Sequence, residues 1–295
     1  MNDSVRTLVV PVRPPFRLDL TAQALRRLST NAVDTFDGTA YRRLLDASIL
    51  LVVRQRAPDA LVVEISAESA IDAAALVRRM FGTQLDLRPF YAAAASIPWL
   101  DAIVTRARGV KAPRYPSVWE AVVNAVVYQQ ISIHAAGAIL RRVIERYGER
   151  HTIEEVPLVP FVAPQTILDA DAEELRELGL SINKVVALRV LARAVLDGEL
   201  DDQQLAALAT PSLVGYLATF KGIGPWTAAV IALRGFGRLD IFPMKDSGVA
   251  RSLKDLSGDP DVDATAILST LGDQRGMLYY HLLLGRLAAC GEIEL

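Results

Sequence analysis

The chain of 295 residues has a single cysteine, Cys290. An internal disulfide framework is therefore excluded, as are a four-cysteine zinc ribbon and a four-cysteine iron–sulfur cluster. It has three histidines, His134, His151 and His281. They are too far apart for metal-ligand spacing, and each reads as an ordinary surface or core residue. No apolar run reaches the roughly 20 residues that a membrane-spanning helix needs; "LDASILLVV" is apolar but short. The opening "MNDSVRTLVVPVRPP" has an early acid and lacks the long apolar stretch of a signal peptide. The expectation is a cytoplasmic protein that engages no membrane. A basic excess is also lacking: 32 Lys and Arg stand against 34 Asp and Glu, for a net charge of −2. That weighs against indiscriminate nucleic-acid binding but leaves room for a locally basic face. No low-complexity tract and no internal repeat is evident.

What is present is apolar material, 52% of the residues, enough for a sizeable core spread over two or three compact units. The first 85 or so residues mix short β-branched runs ("RTLVVPV", "SILLVVRQ", "ALVVEIS") with helical periodicity in "TAQALRRLS" and "AIDAAALVRRMF". A small antiparallel sheet with packed helices fits that pattern. From about residue 88 the strand signal largely vanishes and helices follow one another to the end. A proline-rich loop around "KAPRYPSVWE" marks a boundary. Ser117 with Glu120 three residues later predicts a capping box, and Gly148 a helix C-cap. Basic residues cluster at Arg141, Arg142, Arg146 and Arg150, read as a solvated helix face. Others gather at Lys184, Arg189 and Arg193, and at Arg234, Arg238, Lys245, Arg251 and Lys254.

The stretch "LATFKGIGPWTAAVIAL" carries the sharpest local signal. Gly222 and Gly224 permit positive φ in a tight turn, and Pro225 sits where a first-turn proline is favoured. The reading is helix, hairpin, helix, with free N–H groups at a helix N-terminus that suit a phosphate. Taken alone, the motif is compatible with a glycine-capped turn, a nucleotide loop, or a helix–hairpin–helix gripping a nucleic-acid backbone. The nucleotide loop is disfavoured because no strand precedes it and no G-x-x-x-x-G-K-[ST] follows.

The longer "FKGIGPWTAAVIALRGFGRLDIFPMKDSGV", with Asp246 some two dozen residues past Gly222, resembles the hairpin, Gly/Pro-rich loop and aspartate signature of the helix–hairpin–helix DNA glycosylase superfamily. Within it the chain is similar to the DNA-3-methyladenine glycosylase II (AlkA-type) family over nearly its whole length. "RPPFRLDL", "WEAVVNAVVYQQISIHAAGAILRRVIERYGER" and "LGLSINKVVALRVLARAVLDGEL" carry that likeness. The resemblance implies an α+β fold: a small N-terminal antiparallel α/β domain (1–87) before a mostly α-helical, two-lobed glycosylase core. One helical domain is expected at 113–232, with the hairpin. The second, built from 88–112 and 233–295, would carry the aspartate.

The resemblance also implies roles. Gly222, Ile223, Gly224, Thr227 and Lys221 would hold the DNA backbone. The hairpin carbonyls of Ala218, Phe220 and Ile223 match positions that bind a monovalent cation, Na+ or K+, when DNA is bound; no cofactor is expected for catalysis. Gln130, flanked by Gln129 and Ile131, would fill the gap left by a flipped nucleotide, where many relatives have leucine. Asp246 would stabilise the positive charge that builds on the sugar as the N-glycosidic bond breaks; on its own it reads equally as a helix N-cap. Trp226 stands where bifunctional relatives have a Schiff-base lysine, which implies a monofunctional enzyme. It would line the base pocket, where an electron-rich face attracts cationic bases. Tyr128 is expected beside it, with Tyr279 and Tyr280 as further candidates. Val230 and Gln274 match the family's pocket aromatics and so mark departures from its pattern. The implied activity is excision of alkylated bases such as 3-methyladenine and 7-methylguanine from double-stranded DNA, after base flipping, by a monomer. Two alternatives remain at this point: a catalytically silent helix–hairpin–helix DNA-binding protein, or a glycosylase of the same fold for another damaged base.

Overall fold

A computed structural model describes residues 5–66, 69–153, 155–244 and 247–295. The chain begins with β1 (Val5–Pro11), α1 (Leu18–Arg26), β2 (Asp34–Phe36), β3 (Ala40–Leu44), β4 (Leu50–Ala57), β5 (Ala60–Ser66) and α2 (Ala73–Phe81). The five strands form one antiparallel sheet in the order β1-β5-β4-β3-β2. Alternation is clean in β5, where Leu61, Val63 and Ile65 turn inward. The short strands β2 and β3 are absent from the periodicity reading. Their sequences, "DTF" and "AYRRL", carry charge where a sheet position is expected to be apolar.

The helices that follow are α3 (Arg88–Ala94), α4 (Pro98–Arg106), α5 (Val118–Val127) and α6 (Ile133–Tyr147). A small hairpin of β6 (His151–Ile153) and β7 (Val156–Leu158) interrupts the helical run. Then come α7 (Pro164–Asp169), α8 (Ala172–Glu177), α9 (Ile182–Leu196), α10 (Asp202–Ala206), α11 (Thr210–Leu217), α12 (Pro225–Phe236), α13 (Ser247–Ser257), α14 (Ala264–Leu271) and α15 (Arg275–Ala289). Among the described residues no helix is long and apolar enough to cross a membrane.

Two apolar cores organise these elements. One runs without a break from the sheet (Val10, Leu61, Val63) into α5, α9 and α12. The other joins α3, α4, α14 and α15 through Phe90, Leu100, Leu268 and Leu278. Helix α1 serves both, turning Leu18, Ala22 and Leu25 to the first core and Leu20 and Ala24 to the second. It is joined to α12 by Arg234, which is fully buried. Its Nη2 donates to the carbonyls of Ala24 and Leu25 at 3.0 Å each, and its plane lies between Tyr115 and Tyr280.

The sheet is tied to α5 by a buried ionic group. The Arg43 guanidinium donates 2.9 Å to Asp34 Oδ1 and also pairs with Glu120. The Tyr41 hydroxyl donates to the same Asp34 oxygen. Burial pushes the Glu120 carboxyl up, while Arg43 pulls it back. This corrects the expected capping box. Ser117 Oγ does accept from the Glu120 N–H at 3.3 Å, but the Glu120 carboxylate turns away to Arg43. Gly148 is the C-cap of α6, yet with φ −96°. It is required by space, since a Cβ there would meet Val159 Cγ1 at 2.4 Å.

Candidate nucleic-acid interface

Helices α5 and α12 are buried on nearly every face, the pattern of central rather than surface helices. The Tyr115 N–H donates 2.8 Å to Arg234 O near the start of α5 and the end of α12. Gln129, just past the end of α5, reaches the start of α12. The pair is therefore antiparallel, and it delivers two turns to the same place: Tyr128–Ile131 after α5, and the Gly222–Gly224 hairpin before α12.

The hairpin forms where α11 ends at Leu217. The Ile223 N–H donates 3.1 Å to Phe220 O and closes it. Gly222 has φ +91°, and a Cβ on it would meet Ala187 Cβ at 2.4 Å. Gly224 departs from the expectation of positive φ. It is extended (φ −89°, ψ 177°), serves as the N-cap of α12, and has open space where a Cβ would stand. Lys221, Gly222 and Gly224 are exposed.

The opposing turn is braced from two sides. Gln129 Nε2 donates 2.8 Å to Gly222 O and 2.8 Å to Thr227 Oγ1. Lys184 Nζ donates to Val127 O (2.9 Å) and Gln129 O (3.0 Å), and burial lowers its pKa. So Lys184, one of the clustered basic residues, is spent on the protein's own backbone. Thr227 is buried with its hydroxyl engaged by Gln129. Gln130 is exposed with φ +58°, a left-handed conformation uncommon outside glycine. Ile131 beside it is 38% exposed.

These turns form one side of a cleft of about 870 Å³. Tyr128, Gln129, Gln130, Ile131 and the hairpin residues 222–227, including Trp226, line that side. Across from them lie Gly248, Val249, Arg251 and Ser252 of α13, and Tyr279, Leu282, Leu283 and Arg286 of α15. Arg27, just past α1, completes the lining. Asp246, like Lys245, lies outside the described residues; α13 begins immediately after it.

Two expected pocket residues are not in this lining. Val230 is 2% exposed and packs in the first core, because α12 is enclosed on all sides beyond its first turn. Gln274 sits in the 3-10 turn 272–274 before α15. Tyr280 is likewise core, its hydroxyl donating 3.0 Å to Pro113 O. Arg27 and Arg286 also line the cleft; Arg27 falls in the periodic stretch "TAQALRRLS", which signals a helix and gives no sign of a site. Arg251 was noticed only as part of a basic cluster. Among the described residues no group of three His, Cys, Asp or Glu could hold a metal ion.

The family model for HhH-GPD superfamily base excision DNA repair proteins matches residues 123–271, which span both turns of the cleft and α13. The chain belongs to the HhH-GPD superfamily of base excision DNA repair proteins. It is 30% identical over 264 residues to a probable bifunctional transcriptional activator/DNA repair enzyme AlkA of Mycobacterium tuberculosis, covering 85% of this chain and 51% of that protein. It is 36% identical over 141 residues to DNA-3-methyladenine glycosylase 2 of Escherichia coli, 45% of this chain and 46% of that protein. The chain thus spans about half the length of these curated relatives. A 3-methyladenine DNA-glycosylase from Archaeoglobus fulgidus shares the fold, with TM-score 0.78 at 23% identity over 95% of this chain and 99% of that one.

Proposed function

We propose that the protein is a monofunctional DNA glycosylase that excises alkylated bases from duplex DNA by hydrolysing the N-glycosidic bond. The observation that carries this reading is that an exposed hairpin and the turn bearing the exposed, left-handed Gln130 are locked together by Gln129 and line one cleft with Trp226. In the proposed complex the backbone N–H groups at the start of α12 hold a phosphate. Among the described residues nothing lies within 4 Å of where a Cβ on Gly224 would stand, so a phosphate-bearing backbone can come close there. Lys221, exposed on the same turn, adds charge at that point. Gln130, flanked by Gln129 and Ile131, fills the gap left by the flipped nucleotide.

The cleft is aromatic on this side through Trp226 and Tyr128, which suits stacking of an extruded base. Asp246 is assigned the carboxylate that stabilises positive charge on the sugar and orients the attacking water. The water oxygen bonds to the anomeric carbon and gives up one proton, to the Asp246 carboxylate and from there to solvent, the base leaves with the electron pair of the broken C–N bond, and an abasic site remains. Trp226 stands where bifunctional relatives have an amine, so no strand cleavage is expected. The carbonyls of Ala218, Phe220 and Ile223 are assigned to a monovalent cation. Ala218 and Phe220 follow the end of α11, where helix carbonyls lack intrahelical partners, and Phe220 O accepts the Ile223 N–H. Such a cation would neutralise phosphate charge at the hairpin.

The test is release of 7-methylguanine and 3-methyladenine from methylated duplex DNA. Wild type should release both, and Asp246→Asn should lose at least about two orders of magnitude in rate. Equal rates would remove Asp246 from the mechanism. DNA binding without release of any alkylated base would favour a silent DNA-binding module.

A further inference from the structure

Gln130 has φ +58°, a conformation that persists in a long side chain only where the surrounding structure holds it. The group that does so is Lys184, near the start of α9. Its Nζ donates 2.9 Å to Val127 O, the last carbonyl of α5, and 3.0 Å to Gln129 O. The Gln129 carbonyl belongs to the planar peptide that joins Gln129 to Gln130, from which the φ of Gln130 is measured. Fixing that oxygen fixes the direction in which Gln130 leaves the turn. Carbonyls at a helix C-terminus lack intrahelical partners and carry partial negative charge, so an ammonium group suits them. Burial lowers the pKa of Lys184, and no carboxylate among the described residues counters that. The same stretch of α9 supports the hairpin. Ser181 caps the helix by accepting the Lys184 N–H at 3.4 Å, and a Cβ on Gly222 would meet Ala187 Cβ at 2.4 Å. Lys184 itself does not line the cleft.

We propose that Lys184 is a positioning residue for nucleotide extrusion, acting through the turn it holds and touching neither base nor phosphate. This rests on the glycosylase reading, in which Gln130 fills the gap left by the flipped nucleotide. A side chain that must enter the base stack is best aimed before DNA arrives, because ordering a loose turn at the moment of insertion costs conformational entropy. Lys184 orders the turn in the free protein. Gln129 ties the same turn to the hairpin through Gly222 O and Thr227 Oγ1, so the point of insertion stands at a set distance from the phosphate grip. Without the amine, the Val127 and Gln129 carbonyls lose their donor and turn toward water, and Gln130 relaxes toward negative φ. The loss falls on extrusion of a paired nucleotide and largely spares hydrolysis, because no group lining the cleft has changed.

The experiment measures single-turnover release of 7-methylguanine, at saturating enzyme, from two duplexes. In one the lesion is paired with cytosine; in the other it sits in a one-nucleotide bulge, where extrusion leaves no gap to fill. Lys184→Met should lower the rate at least about tenfold on the paired lesion and less than about threefold on the bulge. A merely structural role lowers both alike, and equal falls overturn the proposal while leaving the glycosylase reading standing. In a Gln130→Gly background, adding Lys184→Met should cost less than about twofold on the paired lesion, because the side chain it aims is gone; an undiminished loss overturns the proposal. The salt dependence of binding to undamaged duplex should be unchanged, and a fall in slope of about one would make Lys184 a direct phosphate contact and overturn it too. Should Lys184→Met fail to fold by circular dichroism, Lys184→Gln, which keeps a donor amide, carries the same comparison; failure of both to fold makes the role structural and overturns the proposal. Wild type that releases no 7-methylguanine from either duplex overturns the glycosylase reading and this inference with it.

Discussion

The two hairpin glycines look equivalent in the sequence and are not. Gly222 is held by its backbone (φ +91°) and by the 2.4 Å approach a Cβ would make to Ala187, whereas Gly224 is extended and faces open space. Gly222→Ala should therefore cost about 1–3 kcal/mol of stability. Gly224→Ala should change stability by less than about 0.5 kcal/mol and instead weaken binding to duplex DNA. Denaturant unfolding read beside a DNA titration separates the two. Equal stability losses would mean that the space beside Gly224 is not held open for a ligand. The same contrast shows where sequence reading ends: a G-x-G pattern announces a turn but not which glycine answers to packing.

At the scale of elements, helix ends were the most legible feature, because a cap is a local bargain between neighbours. Ser117, expected as a cap, does cap α5 through a bond to the N–H three residues on. The strands β4 and β5 were legible for a similar reason, each β-branched run being complete within its own segment. What the sequence hid was pairing at a distance. Glu120 looked like a capping partner of Ser117, and only the fold brings Arg43 to it across the sheet. That distance also explains why β3, with Arg42 and Arg43 in its middle, did not read as a strand. Removing one member of a buried ion pair leaves the other without compensation, so Arg43→Ala should destabilise by about 3–5 kcal/mol. Joint replacement of all three, Arg43, Asp34 and Glu120, by apolar residues should recover much of the loss. Urea midpoints measure both, and a single-variant loss under 1 kcal/mol would show the network to be peripheral. The site was legible in the same uneven way. Gln129, Gln130, Ile131 and Trp226 sit in quoted motifs and all line the cleft, whereas Arg27 reaches it from a helix end whose periodicity gives no sign of a site.

For the whole molecule, acid sensitivity follows from one residue of the second core. His281 is fully buried on α15, donates from Nδ1 to Met277 O at 2.9 Å if that nitrogen carries the proton, and stacks on Phe90 at 4.8 Å. Burial lowers its pKa to about 4 from 6.5, outweighing the bond to Met277. The unfolded chain therefore takes up a proton below pH 6.5 that the folded chain refuses until about pH 4. Stability from this group is complete above 6.5 and is lost progressively as pH falls to 4, by about 3 kcal/mol in total. His281→Leu should flatten the stability profile across that window, as followed by urea midpoints at several pH values; an unchanged slope would relieve His281 of the role.

Arg234 has a consequence in mechanical terms. It starts on the helix that the hairpin opens and ends on the last carbonyls of α1, one turn from the backbone of Arg27. It acts as a strut. A pull on the hairpin is carried through α12 into the seat of Arg27, so the hairpin and the Arg27 part of the cleft lining are mechanically joined. On the proposed reading, the softer body in the complex is the duplex, and the bending needed to deliver a nucleotide falls on the DNA.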